Sequence, residues 1–338
     1  MPNKRLFLTV FISCLLLVVT ILGLGDLYQS KKNAQKVQPF PQVDTSISIS
    51  ETENAEPNVT RNEKATVKPQ KWYNNQVVVL TYHHVTDAAG QRYVIAPEQF
   101  AEHMAFLHEN DLHPITLDEF LRFVDTGSLP TENAVLITFD DGYESYYTKA
   151  FPILRTYGYP SVNFVIAGRL RDVAERKREN MTTPLTRQQV MEMLHSGLAD
   201  IGSHTYSLHE EEARNEWGEM GPETAPVYLQ DVKRLENEKE YRDRLYVDFS
   251  MSRAGLHGWM SKDIKAISLP FGYKNPIVLE TARQAGYEYV FTSTPGFAKR
   301  GVDPFAIPRN DVGLRDVDEV KLQQLFTKAK KEFEGEQS

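Results

Sequence analysis

Cysteine is nearly absent: the 338 residues contain one, Cys14. A single thiol excludes an intramolecular disulfide framework and any cysteine-built zinc site. Cys14 also falls inside an apolar N-terminal run, so the rest of the chain has no thiol, as suits an exported protein. Excess positive charge is missing where a globular domain is expected. Residues 72–338 hold 29 Lys/Arg against 40 Asp/Glu, while residues 1–71 hold nine against six, and the whole chain carries −8. A domain this acidic is a poor candidate for nucleic acid, where phosphate neutralisation supplies most of the affinity. Solubility accounts for its charge without a cationic partner. No internal repeat is evident. Hydrophobic content of 41% and charged content of 25% are ordinary for a soluble domain, so any membrane signal must be local.

That signal is present. Lys4 and Arg5 precede a run from Leu6 to Leu24 without a charged residue. As a helix these nineteen residues span roughly 28 Å, close to the hydrocarbon thickness of a bilayer. Gly23-Leu24-Gly25 offers small residues for signal cleavage, but the run is long for a signal peptide, which favours an uncleaved anchor. Both readings put the remainder outside the cytoplasm: on the cell membrane behind a single span, or secreted after cleavage. Residues 26–71 are rich in Ser, Thr, Asn, Gln and Glu without apolar periodicity, the composition of a flexible linker. The organisation expected is thus an anchor or signal over 1–25, a linker over 26–71 and one domain over 72–338.

Within that domain strands and helices alternate. Gln76–Leu80, Ala134–Phe139, Ser161–Ile166, Ala199–Gly202, Ala266–Leu269 and Tyr289–Thr292 read as strands. Between them lie helical stretches over Pro97–Asn110, to about Tyr157, over Thr186–His195 and over Asn275–Ala285, with Tyr241, Leu245, Phe249, Ser252 and Leu256 tracing a further helical face. Such alternation indicates parallel pairing through right-handed crossovers. About seven units in this length suit an α/β fold, a distorted (β/α) barrel, whose functional residues belong at the carboxyl ends of strands.

Two strand ends carry chemistry. Thr138-Phe139-Asp140-Asp141-Gly142 places adjacent carboxylates there, although two acids before a glycine are also a common turn. Ser203-His204-Thr205-Tyr206-Ser207-Leu208-His209 follows another strand. Histidines five apart do not share a helix face and must converge through a loop. Two imidazoles and one carboxylate form an N,N,O set suited to a zinc-like divalent ion with open positions.

With these motifs the chain resembles the polysaccharide deacetylase family, also called the NodB-homology family or carbohydrate esterase family four. The resemblance runs from about Gln76 to Arg309. The T-F-D-D-G motif is complete. The second histidine comes five positions after the first rather than the usual four, and this is similar to the poly-β-1,6-N-acetylglucosamine deacetylases of biofilm matrices. Thr81-Tyr82-His83-His84-Val85, Gln91-Arg92-Tyr93 and the long segment after His209 resemble that subgroup too.

The resemblance implies that Asp141, His204 and His209 hold a divalent metal, zinc by expectation, and that Asp140 is the general base. It matches the family's third motif to Ser268-Leu269-Pro270-Phe271, with the Phe271 backbone N–H on the oxyanion and Pro270, Tyr273, Tyr206 and Arg309 as substrate contacts. Two departures stand out. Ser268 replaces the arginine that orients the base, and no histidine follows His257 to act as the late acid. His83 is the candidate acid, with His84 second because neighbouring strand residues face opposite ways. Arg309 is a further candidate for the missing positive charge. Tyr143, Tyr206, Trp217, Trp259 and Tyr273 could stack on sugars, though for each of them packing is the reading that sequence favours. The function implied is deacetylation of an extracellular N-acetylglucosamine polymer. Alternatives are peptidoglycan or chitin-oligomer deacetylation, an inactive polysaccharide-binding module, and a metal-dependent phosphoesterase, which would normally show more ligands.

Overall fold

The computed structural model describes residues 71–87, 93–170 and 182–337. The expected anchor, nearly all of the expected linker, and Gln91 and Arg92 lie outside these residues. Among the described residues, no helix is long and apolar enough to cross a membrane.

Nine strands form the sheet, of which His113–Pro114 and Ala298–Lys299 are short additions; the other seven run parallel: β1 (Gln76–Tyr82), β2 (Ala134–Asp141), β3 (Ser161–Val165), β4 (Ala199–Ser203), β5 (Ala266–Ser268), β6 (Tyr289–Phe291) and β7 (Asn310–Asp311). Their order is β6-β5-β4-β3-β2-β1-β7. The sheet curls on itself, because the chain leading into β7 touches both edges. Ile307 bridges Phe291 of β6 in parallel, and Asn310 and Asp311 pair with Leu80 and Thr81 of β1. The distorted barrel expected from the alternating pattern is therefore formed, and its seventh staple is two residues long, too short for any periodicity to reveal.

The helices are α1 (Pro97–Glu109), α2 (Leu117–Thr126), α3 (Phe151–Tyr157), α4 (Arg187–His195), α5 (Glu238–Met260), α6 (Pro276–Gln284) and α7 (Glu319–Gln337). Alternation along each strand divides the core in two. Val77 and Val79 of β1, Leu136 of β2 and Val162 and Phe164 of β3 pack in one cluster with Leu117, Phe120, Phe123 and Val124 of α2. Val78, Leu80 and Tyr82, with Val135, Ile137 and Phe139, pack in the other against Phe100, Met104 and Leu107 of α1 and Tyr241, Leu245 and Phe249 of α5. Each such side chain, fully buried, contributes about 1.5–3 kcal/mol. Helix α2 is absent from the sequence reading, yet its start was readable. Thr116 and Glu119 form a reciprocal capping box, and Gly127 closes the helix at φ 69°.

Candidate active site

Strand β2 delivers both aspartates to the barrel mouth. It stays extended through Asp140, then turns left-handed at Asp141 (φ 75°) and Gly142 (φ 72°). A side chain on Gly142 would press against Val165, 3.0 Å from its Cβ, so glycine suits that position on two counts. Thr205 (φ 71°) and Phe271 (φ 55°) are also left-handed non-glycines. Strain of this kind persists only where surrounding structure enforces it, and it clusters at functional sites.

The loop after β4 is laced to the segment after β3: His204 N–H donates to Val165 O, Ala167 N–H to Thr205 O and Gly168 N–H to Tyr206 O. This brings both histidines to Asp141. Asp141 Oδ1 lies 3.4 Å from His204 Nε2 and 2.9 Å from His209 Nε2, and one ligand atom from each residue falls within 4.8 Å of the others. Among the described residues, Asp141 Oδ1 is buried without a well-directed hydrogen bond. A buried carboxylate oxygen facing two imidazole nitrogens is the arrangement a divalent cation satisfies, so the donor set fits a metal. His204 Nδ1–H donates to Ser268 O at 2.9 Å, which leaves Nε2 unprotonated and available as a ligand.

Asp140 turns into the barrel. Arg309 grips it end-on, Nη1 to Oδ1 at 2.8 Å and Nη2 to Oδ2 at 2.7 Å. Both residues are buried. Arg309 Nη2 also donates to Ser268 Oγ (2.8 Å), which donates in turn to Asp140 Oδ2 (3.1 Å), while Arg309 Nε donates to Thr292 O (3.0 Å). Burial alone would raise the Asp140 carboxyl. The Arg309 guanidinium, aided by His204, outweighs it and holds the group down at about 2. Asp140 is thus kept ionised by a positive charge from the segment that leads into β7 and closes the sheet. Ser268, a departure from the motif in the sequence, is a hydroxyl relay between base and guanidinium. The expectation that Arg309 contacts substrate is corrected, since its guanidinium is consumed inside the barrel.

A cleft of about 330 Å³ opens over these groups, and its lining includes His83, His84, Tyr93, Tyr143, Phe271 and Asp311. The cleft leaves out the other expected substrate contacts. Pro270 is buried, Tyr273 packs on the core within 3.3 Å of Asn275, and Tyr206 lies against Gly168. Phe271 is 56% exposed, its ring 5.3 Å from that of His209. Trp217, 82% exposed at the turn between two short strands after His209, is not a packing residue.

His83 and His84 both reach the cleft, which corrects the expectation that they face opposite ways. Strand β1 ends at Tyr82, so alternation no longer governs them. Hydrogen bonding separates them instead. His84 Nδ1 lies 2.7 Å from Ser145 Oγ, and Ser145 Oγ also accepts Val85 N–H. Burial lowers the His84 imidazole against an opposing pull from Asp141. His83 Nδ1 has no hydrogen-bond partner among the described residues, and its ring rests 4.8 Å from Tyr93.

Comparison with known proteins agrees with this geometry. The polysaccharide deacetylase family model matches residues 128–290. The chain is 32% identical over 246 residues to the poly-beta-1,6-N-acetyl-D-glucosamine N-deacetylase of Escherichia coli O157:H7, covering 70% of this chain and 36% of that one. It therefore spans little more than a third of that relative's length. Among solved structures, the de-N-acetylase from Aggregatibacter actinomycetemcomitans superposes with a TM-score of 0.66 at 28% identity, over 74% of this chain and 100% of that one. IcaB from Ammonifex degensii gives 0.59 at 25%, over 75% and 98%.

Proposed function

The chain belongs to the polysaccharide deacetylase family of hydrolases, and on that premise we propose that it removes N-acetyl groups from an extracellular N-acetylglucosamine polymer. The β-1,6-linked polymer of biofilm matrices is the substrate favoured by the relatives' names and by the five-residue step between the histidines. The observation that carries the reading is the division of labour between adjacent aspartates. Asp141 joins His204 and His209, while Asp140, in the grip of Arg309, is committed elsewhere.

Asp141, His204 and His209 would hold the divalent metal, zinc being the ion such a set favours; when bound it would polarise the acetamide carbonyl and acidify a water. The remaining work belongs to the chain. Asp140, ionised and fixed in direction, accepts the proton of the attacking water. The Phe271 N–H, on a left-handed turn at the cleft, is assigned to the oxygen on which charge develops. His83 supplies the proton that the leaving amine needs, with Tyr93 against its ring. Tyr143 and Phe271 offer apolar faces to the sugar. An inactive binding module would have no use for a buried arginine that keeps Asp140 ionised.

We further propose that residues 6–24 anchor the enzyme in the cell membrane with this domain outside. Incubation of the full chain with β-1,6- and β-1,4-linked N-acetylglucosamine oligomers, with released acetate measured, tests the activity. Faster release from the β-1,6 series is expected. Preference for β-1,4 oligomers would move the substrate to chitin-like or peptidoglycan chains, and no release from either would leave only a binding role.

A further inference from the structure

Asp248 sits in the middle of α5, only 6% exposed, and among the described residues no lysine, arginine or histidine pairs with it. A buried carboxylate without a cation is costly unless donors surround it. Its donors all come from one place. Oδ1 accepts the Tyr206 N–H at 2.8 Å, and Oδ2 accepts the Ser207 N–H at 2.8 Å and the Ser207 hydroxyl at 3.0 Å. Tyr206 and Ser207 are the central residues of the loop between His204 and His209. These are charge-assisted bonds, and the acceptor is held by a rigid helix.

The geometry of the loop makes this brace consequential. Its first half is fixed by the lacing to residues 165–168 and by the Ser203 hydroxyl, which accepts the Thr205 N–H. Its second half leads to His209, whose N–H turns back onto Ser207 O at 2.8 Å. Between them the backbone passes through the left-handed Thr205. Without Asp248, two adjacent amides would lose their acceptors just where the chain must swing His209 toward Asp141.

We propose that Asp248 is a positioning residue of the metal centre: by holding the Tyr206 and Ser207 amides it sets the separation of the two histidine ligands, and so the affinity for the ion. The inference rests on the metal-site reading above. Groups that orient ligands from behind typically change metal affinity by about 10–100-fold when lost.

The test is a zinc titration of the full chain, stripped with chelator, against a competing chromogenic chelator. Wild type, Asp248→Asn and Ser207→Ala are compared, with urea unfolding of each metal-free form alongside. Asp248→Asn preserves shape but sets an amide donor against one of the loop N–H groups. It is expected to weaken zinc by about 10–100-fold, with KM for oligomer unchanged and turnover recovering at saturating zinc. Ser207→Ala removes one bond of the three and is expected to weaken zinc by less. Wild-type affinity in Asp248→Asn, with only a shift in unfolding, would overturn the inference and leave a structural brace. If Asp248→Asn does not fold, unchanged affinity in Ser207→Ala overturns it equally. A wild-type chain that binds no zinc at all would instead sink the metal-site reading.

Discussion

Arg309 and Asp140 lie 169 positions apart in sequence, yet their side chains meet in two parallel hydrogen bonds of 2.8 and 2.7 Å inside the barrel. The pair joins the chain leading into β7 to the end of β2, and it separates the roles of two adjacent aspartates.

Breaking this pair should be costly in a diagnostic way. Arg309→Met leaves a buried carboxylate unpaired, and loss of about 3–5 kcal/mol in urea unfolding is expected. Arg309→Lys keeps the charge but not the fork, so it should lower turnover while sparing metal content. The pH dependence has a definite sign. Asp140 is depressed from 3.8 to about 2, so its contribution to stability is complete above about pH 4 and is lost as pH falls towards about 2. Arg309→Met removes the depressing charge, and the acid limb of its rate profile should move to higher pH. An unmoved limb would show that Arg309 does not tune the base.

The two aspartates should separate in metal analysis. Asp141→Ala, His204→Ala and His209→Ala are each expected to lose the ion by elemental analysis. Asp140→Asn should keep it and lose about 10²–10⁴-fold in turnover, the usual worth of a positioned base. Full metal in the first three variants would remove the assignment of ligands, and near-normal turnover in the fourth would remove that of the base.

For the proton donor, His83→Ala is expected to fold, bind metal and lose most activity. His84→Ala should lose less turnover but some stability, since it abandons the Ser145 bond. Released acetate and thermal unfolding measured on both variants decide the matter. The reverse ranking would transfer the role to His84, and full activity in both would place the acid elsewhere.

Anchoring is checked by fractionation. With residues 6–24 retained as a span, the chain should pellet with membranes and resist alkaline extraction. A soluble mature form beginning near Asp26 would show cleavage instead.

The composition and local pattern were enough for the class of fold, because long apolar strands such as Ala134–Asp141 and a helix face such as Tyr241, Leu245 and Phe249 announce themselves by periodicity. The histidines and aspartates were legible for a similar reason: each motif is contiguous, and strand ends in such barrels converge. Short elements were not legible. Two paired residues, Asn310 and Asp311, help close the sheet without any pattern of their own.

By itself the sequence determined which groups could ligate a metal, and its family resemblance implied a base, an acid and a positive charge beside it. It offered Arg309 both as the missing charge and as a substrate contact without choosing, because an ion pair between residues 140 and 309 depends on the order in which strands lie side by side. It ranked His83 over His84 by alternation, a rule that lapses once β1 ends at Tyr82. It gave no hint of Asp248, because a buried carboxylate in a helix acquires meaning only from the amides that face it. Those decisions belong to the tertiary structure, since burial and distance, which set the strength of every such interaction, exist only once the chain has folded.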